Sequence, residues 1–102
     1  MLNINKKIEE GKAVFALEGR LDTLTAGDLE KELKDSLGGV ADLTLDFEKL
    51  DYISSAGLRV LLSTQKTMNQ QGKMTITRVN ETIMEIFEVT GFSDILTIET
   101  ES

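Results

Sequence analysis

Residues 51–59 read DYISSAGLR, and the adjacent serines Ser54 and Ser55 are the residues here best placed to do chemistry. A serine nucleophile needs a neighbouring base. The chain has no histidine and no cysteine, so that base would have to be Lys, Asp or Glu, and no lysine has the local spacing for it. The same two absences remove thiol catalysis, disulfides, thiolate zinc sites and imidazole ligands. The acidic residues lack the clustered spacing of a calcium loop, and no GxxxxGK phosphate loop is present. These residues favour a binding protein over an enzyme and assign no cofactor and no metal.

Capping and modification remain for the two serines. A serine at a helix start commonly accepts a hydrogen bond from the second or third helical amide, and Ser54 fits that role. Ser55 is followed by Ala56 and Gly57, whose small size leaves its hydroxyl approachable, and Gly57 lets another segment come close to the backbone. Unpaired helix amides and the helix dipole favour an anion there by about 0.3–1 kcal/mol, rising to about 2 when partly buried. A phosphate delivered to Ser55 by another protein is tolerated at such a position. The Ser55 position is therefore ready for a phosphate, which would have to come from elsewhere.

The elements that must position these serines follow from periodicity. LNINKKI (2–8) alternates apolar and polar residues, Gly11 offers a turn, and AVFALEG follows, which predicts an antiparallel hairpin. TAGDLEKELKDSLGG carries Ala26, Leu29, Leu33, Ser36 and Leu37 at helical spacing. Thr25 and Asp28 are placed there like a capping box, and Gly38-Gly39 ends the helix. LTLDF (43–47) alternates as a strand with one buried face, and EKLDYIS follows it as a loop in which Tyr52 and Ile53 anchor to the core. SAGLRVLLSTQKTMNQQG gives a second helix with Leu58, Leu61, Leu62 and Met68 inward and Gly72 as its stop. KMTITR is a further strand. NETIMEIFEVTG is a third helix capped by Asn80 and stopped by Gly91, and DILTIE is a short edge strand before the polar tail TES.

The order β-β-α-β-α-β-α-β predicts an α/β domain with a mixed, mostly parallel sheet and helices packed mainly on one face. In such sheets the loops leaving the carboxyl ends of strands gather at one rim. The loop after FALEG and the loop holding YISSAG should therefore be neighbours. At 102 residues, with 40% hydrophobic and 28% charged residues, residues 1–102 form one domain with one core. A formal charge of −7 argues against nucleic acid and anionic lipid as partners. With no spanning apolar run and no signal-peptide pattern, a cytoplasmic location is expected.

LTLDFEKLDYISSAGLRVLL, with EGRLDTLTAGDLEKEL upstream and VTGFSDILTI downstream, resembles the STAS domain of bacterial anti-sigma-factor antagonists over nearly the whole chain. The resemblance implies a STAS fold and a partner-switching regulator. Such a regulator binds a serine-kinase anti-sigma factor when unphosphorylated and frees a sigma factor. Phosphorylation by that kinase switches it off, and a serine phosphatase is implied as a further partner. In the family pattern the serine two residues before the glycine is the phosphoacceptor; here these are Ser55 and Gly57, which makes Ser55 the implied acceptor with Ser54 as the fallback. Ser54 stands where many members carry aspartate, and Ala56 where many carry a second serine. The GRLD segment matches the family's strand end, which places Asp22 and Thr23 on the kinase-contact surface.

The implied partner site comprises Asp22, Thr23, Ser54, Ser55, Ala56, Gly57 and Arg59. Structural roles stand beside these: Asp22 as a helix-start residue, Gly19 as a turn residue and Arg59 as a solvated charge. The alternative function is a STAS scaffold or interaction subunit of a stressosome-like or lipid-transport complex.

Overall fold

The computed structural model describes residues 2–99. The elements run β1 (Leu2–Glu9), β2 (Lys12–Leu21), α1 (Ala26–Ser36), β3 (Asp42–Ile53), α2 (Ser55–Gln71), β4 (Lys73–Thr77), α3 (Glu81–Thr90), a 3₁₀ turn (Phe92–Asp94) and β5 (Ile98–Glu99). They build one five-stranded sheet in the order β1-β2-β3-β4-β5. β1 pairs antiparallel with β2, and every later pairing is parallel. The expected mixed, mostly parallel sheet is therefore present.

The β1-β2 hairpin closes on Glu10 and Gly11, both at positive φ, as a two-residue type I′ connection requires. Along the central strands the alternation sorts the faces. Ala13, Phe15 and Leu17 of β2, Leu43, Leu45 and Phe47 of β3, and Met74 and Ile76 of β4 are buried. They join one core with Leu29 and Leu33 of α1, Leu58, Leu61 and Met68 of α2, and Ile83 and Phe87 of α3. The rings of Phe47 and Phe87 meet with centroids 6.5 Å apart. Val14, Thr44, Asp46, Thr75 and Thr77 alternate onto the opposite face and keep partial or full exposure. The three helices thus share one side of the sheet.

β3 departs from the expected boundaries, because it continues through EKLDYI to Ile53 and does not become a loop after Phe47. Its pairing with β2 shifts between Ala16 and Glu18 and again between Gly19 and Arg20. Each shift sets one extra β3 residue against β2, as in a β-bulge. Buried positions therefore step from Phe47 to Leu50 and then to Ile53. That spacing breaks the period of two on which strand recognition rests.

The capping box is also absent. Thr25 precedes α1 in near-helical conformation and makes no side-chain cap bond. Its hydroxyl instead donates to the Arg20 carbonyl at 2.8 Å and accepts from the Asp22 amide at 2.9 Å. Leu62, expected in the inward stripe of α2, is only partly buried, while Val60, Thr64 and Gln65 are buried on that helix. DILTIE contributes only Ile98–Glu99 as an edge strand, preceded by the 3₁₀ turn. The tail TES lies outside the described residues. Asn80 and Gly91 behave as expected: the Asn80 Oδ1 accepts from the Ile83 amide at 2.8 Å, and Gly91 ends α3 at φ 82°.

Candidate functional site

The site forms where β2 and β3 end side by side. Leu21 pairs with Ile53, and the Ser54 amide donates to the Leu21 carbonyl at 2.9 Å. The last sheet bond thus ties the loop 22–25 to the first turn of α2. Both loops leave the carboxyl ends of neighbouring strands, so Asp22 and Thr23 share a rim with Ser54 and Ser55, as the strand order predicted.

Ser54 is the N-cap of α2. Its backbone is extended, and its Oγ accepts from the Gly57 amide at 3.4 Å, a long bond for an N-cap. Ser55 is the first helical residue. Its side chain is exposed and makes no hydrogen bond among the described residues. Its hydroxyl is therefore open to solvent beside the unpaired amides of the first helical turn.

Gly57 acts from within. It is buried, and a Cβ at this position would stand 2.8 Å from both Ile53 Cγ1 and Leu21 Cγ. The close approach it permits is therefore to its own chain's strand ends, and it presents no side chain to a partner. Ala56 is half-buried against the core. Arg59 is exposed one turn after Ser55, and the spacing of four places both on one helix face.

Asp22 organises the facing loop. Its Oδ1 accepts from the Leu24 amide at 3.0 Å and the Thr25 amide at 3.2 Å, and the Thr25 hydroxyl, whose proton goes to the Arg20 carbonyl, lies 3.3 Å away. Partial desolvation pushes its pKa up, but the hydrogen bonds from Leu24 and Thr25 outweigh it and hold the carboxyl below its ordinary value. Arg20 Nε lies 3.8 Å from Asp22 Oδ2, and the Arg20 guanidinium stacks over the Tyr52 ring at 4.6 Å. Thr23 is exposed.

From the sequence, Arg20 and Leu24 had no assigned role, and Tyr52 was placed in the core with Ile53. Tyr52 is only half-buried and serves as a platform for Arg20, whereas Ile53 is the core anchor. Leu24 is 89% exposed. Its signal in the sequence was phase: it stands outside the inward pattern of Ala26, Leu29 and Leu33.

These features define a class: a small α/β domain whose strand ends and one helix start form a single polar rim presenting a serine. Residues 3–102 match the STAS domain, and the chain belongs to the STAS domain family. It is 36% identical over 91 residues to BtrV of Bordetella bronchiseptica, named as an anti-sigma factor antagonist, covering 87% of this chain and 78% of that protein. It is 31% identical over 97 residues to the anti-sigma-B factor antagonist of Staphylococcus aureus, covering 93% of this chain and 90% of that one. Its fold superposes on Bacillus SpoIIAA in the phosphorylated form with a TM-score of 0.77 at 16% identity, over 98% of this chain and 92% of that chain. Among the described residues no helix is long and apolar enough to cross a membrane.

Proposed function

We propose that this chain is an anti-sigma factor antagonist switched by phosphorylation of Ser55. In the unphosphorylated state its rim binds a serine-kinase anti-sigma factor and frees the sigma factor. Transfer of a phosphoryl group to the Ser55 hydroxyl ends that binding, and a serine phosphatase restores it. The names of the relatives support the antagonist role, and the phosphorylated state of SpoIIAA supports the mode of control.

The observation that carries the proposal is the exposed, unengaged Ser55 hydroxyl at the first position of α2, on the rim shared with Asp22 and Thr23. Ser54 is a weaker acceptor because it is half-buried and its oxygen caps the helix. Ser54, Ala56 and Gly57 then seat the helix start, while Asp22, Thr23, Ser55 and Arg59 border the partner.

The test is phosphoryl transfer. The unmodified chain is used to capture a small serine kinase from native lysate, and the purified pair is incubated with ATP. Peptide mass spectrometry is expected to place the phosphate on Ser55 and to find none in Ser55→Ala. Phosphate on Ser54 alone, or persisting in Ser55→Ala, overturns the assignment. Capture of membrane transport subunits or large scaffold proteins in place of a kinase overturns the antagonist role.

A further inference from the structure

We infer that Leu24 is an apolar anchor for the same kinase partner that reads Ser55, and that Asp22 is the positioning residue that holds it out. The inference rests on the proposed function and deepens it. Single exposed apolar residues are ordinary on protein surfaces, so exposure by itself says little. Leu24 differs in how it is held and where it stands.

With 89% of its surface in solvent, Leu24 has almost all of its apolar area left to bury on a partner. Its backbone is fixed before any partner arrives. The Leu24 and Thr25 amides both donate to Asp22 Oδ1, and the Thr25 hydroxyl is tied to the Arg20 carbonyl. The leucine is thus displayed on a turn locked at both ends, and preorganised contacts cost less to immobilise on binding. It follows the strand end tied to the acceptor's helix, because the Ser54 amide bonds the Leu21 carbonyl three residues before it, so its loop leaves the same rim. The rim it stands on is otherwise polar: Asp22 is partly exposed, and Thr23, Ser55 and Arg59 are exposed. An apolar contact enclosed by polar groups is the usual anatomy of a specific interface. The carboxylate of Asp22 spends its Oδ1 on the turn, so beside any direct contact it makes, it acts on binding through the placement of Leu24.

Affinities for the purified serine kinase are measured with the full chain and its variants. Leu24→Ala is expected to weaken binding about tenfold, equal to about 1.4 kcal/mol, with an unchanged melting temperature, and Leu24→Met to restore most of it. Asp22→Ala is expected to weaken binding in the wild type and to add little in the Leu24→Ala background, because coupled residues are not additive. Wild-type affinity for Leu24→Ala, while Ser55 is still phosphorylated, overturns the anchor and leaves the proposed function standing. Fully additive losses overturn the positioning role of Asp22. If sedimentation shows a homodimer that Leu24→Ala dissolves with kinase affinity intact, the occupant is a second copy and the inference fails. Failure of the wild-type chain to bind any serine kinase defeats the proposed function and the anchor with it.

Discussion

Replacing Gly57 by alanine tests how the rim is built. The added Cβ would stand 2.8 Å from Ile53 Cγ1, 2.8 Å from Leu21 Cγ and 3.1 Å from Leu21 Cδ2. Carbon atoms pack best at about 3.5–4.0 Å, so each contact is too close by several tenths of an ångström. Neither neighbour can swing aside, because Leu21 and Ile53 are buried at the ends of β2 and β3. Overpacking of this kind costs roughly 1–3 kcal/mol, and the better helix propensity of alanine returns about 0.5–1. The difference is a loss centred on about 1 kcal/mol and reaching about 2.5. For a domain near this size, a loss of about 1 kcal/mol lowers the melting temperature by roughly 4–8 °C.

Thermal unfolding followed by circular dichroism measures it, with Gly27→Ala in α1 as the control. A Cβ at Gly27 meets nothing within 4 Å, so that variant should be at least as stable as the wild type. Gly57→Ala as stable as the wild type, or Gly27→Ala less stable than Gly57→Ala, would refute the packing argument.

Ser55→Ala should leave the unfolding free energy from urea titration within about 0.5 kcal/mol of the wild type, since an exposed side chain is removed. Ser54→Ala should cost about 0.5–1 kcal/mol through the lost cap; the reverse order would mean the two serines are misassigned. Asn80→Ala should cost about 1–2 kcal/mol in urea unfolding, because it removes both the α3 cap and the Nδ2 bond to the Leu50 carbonyl at 2.9 Å. For Asp22 the folded pKa lies below the unfolded one, so its stabilising contribution is complete above the ordinary carboxylate range. It is lost as pH falls through the lowered folded value. Urea midpoints of the wild type and Asp22→Asn should therefore converge on acidification; a gap that widens at low pH contradicts the sign.

The parts of this fold that were legible in the sequence are those set by local rules. Alternation in LNINKKI and the glycine of the turn gave the hairpin. Ser54 and Asn80, each ahead of an apolar helical pattern, marked two helix starts whose caps depend on residues within the next turn. The second half of β3 was hidden because its two bulges arise from pairing with β2, which no periodicity within β3 records. Thr25 was misread for a related reason: its hydroxyl is claimed by the Arg20 carbonyl, a contact set by how β2 ends. Ser55 and Asp22 could be brought to one rim from strand order alone. The direction in which Leu24 points, and the stacking of Arg20 on Tyr52, depend on the turn that Asp22 closes and became visible only in three dimensions.

The proposed control of this chain requires that charge placed on Ser55 throw the switch. A phosphoserine carries about −1.5 to −2 charges near neutral pH, and the amides at the start of α2 accommodate it, so the domain has no cause to refold. Against a kinase site holding nucleotide phosphates, two unit charges at roughly 4 Å repel by about 4 kcal/mol at an effective dielectric of 20. Half of that reduces affinity more than tenfold. The direct measurement is the affinity of the nucleotide-loaded kinase for the unmodified and Ser55-phosphorylated chains, with backbone NMR spectra of both free proteins. The prediction is an affinity loss of at least tenfold with shift changes confined to the rim. Unchanged affinity, or shift changes running through β1 and α3, would contradict it.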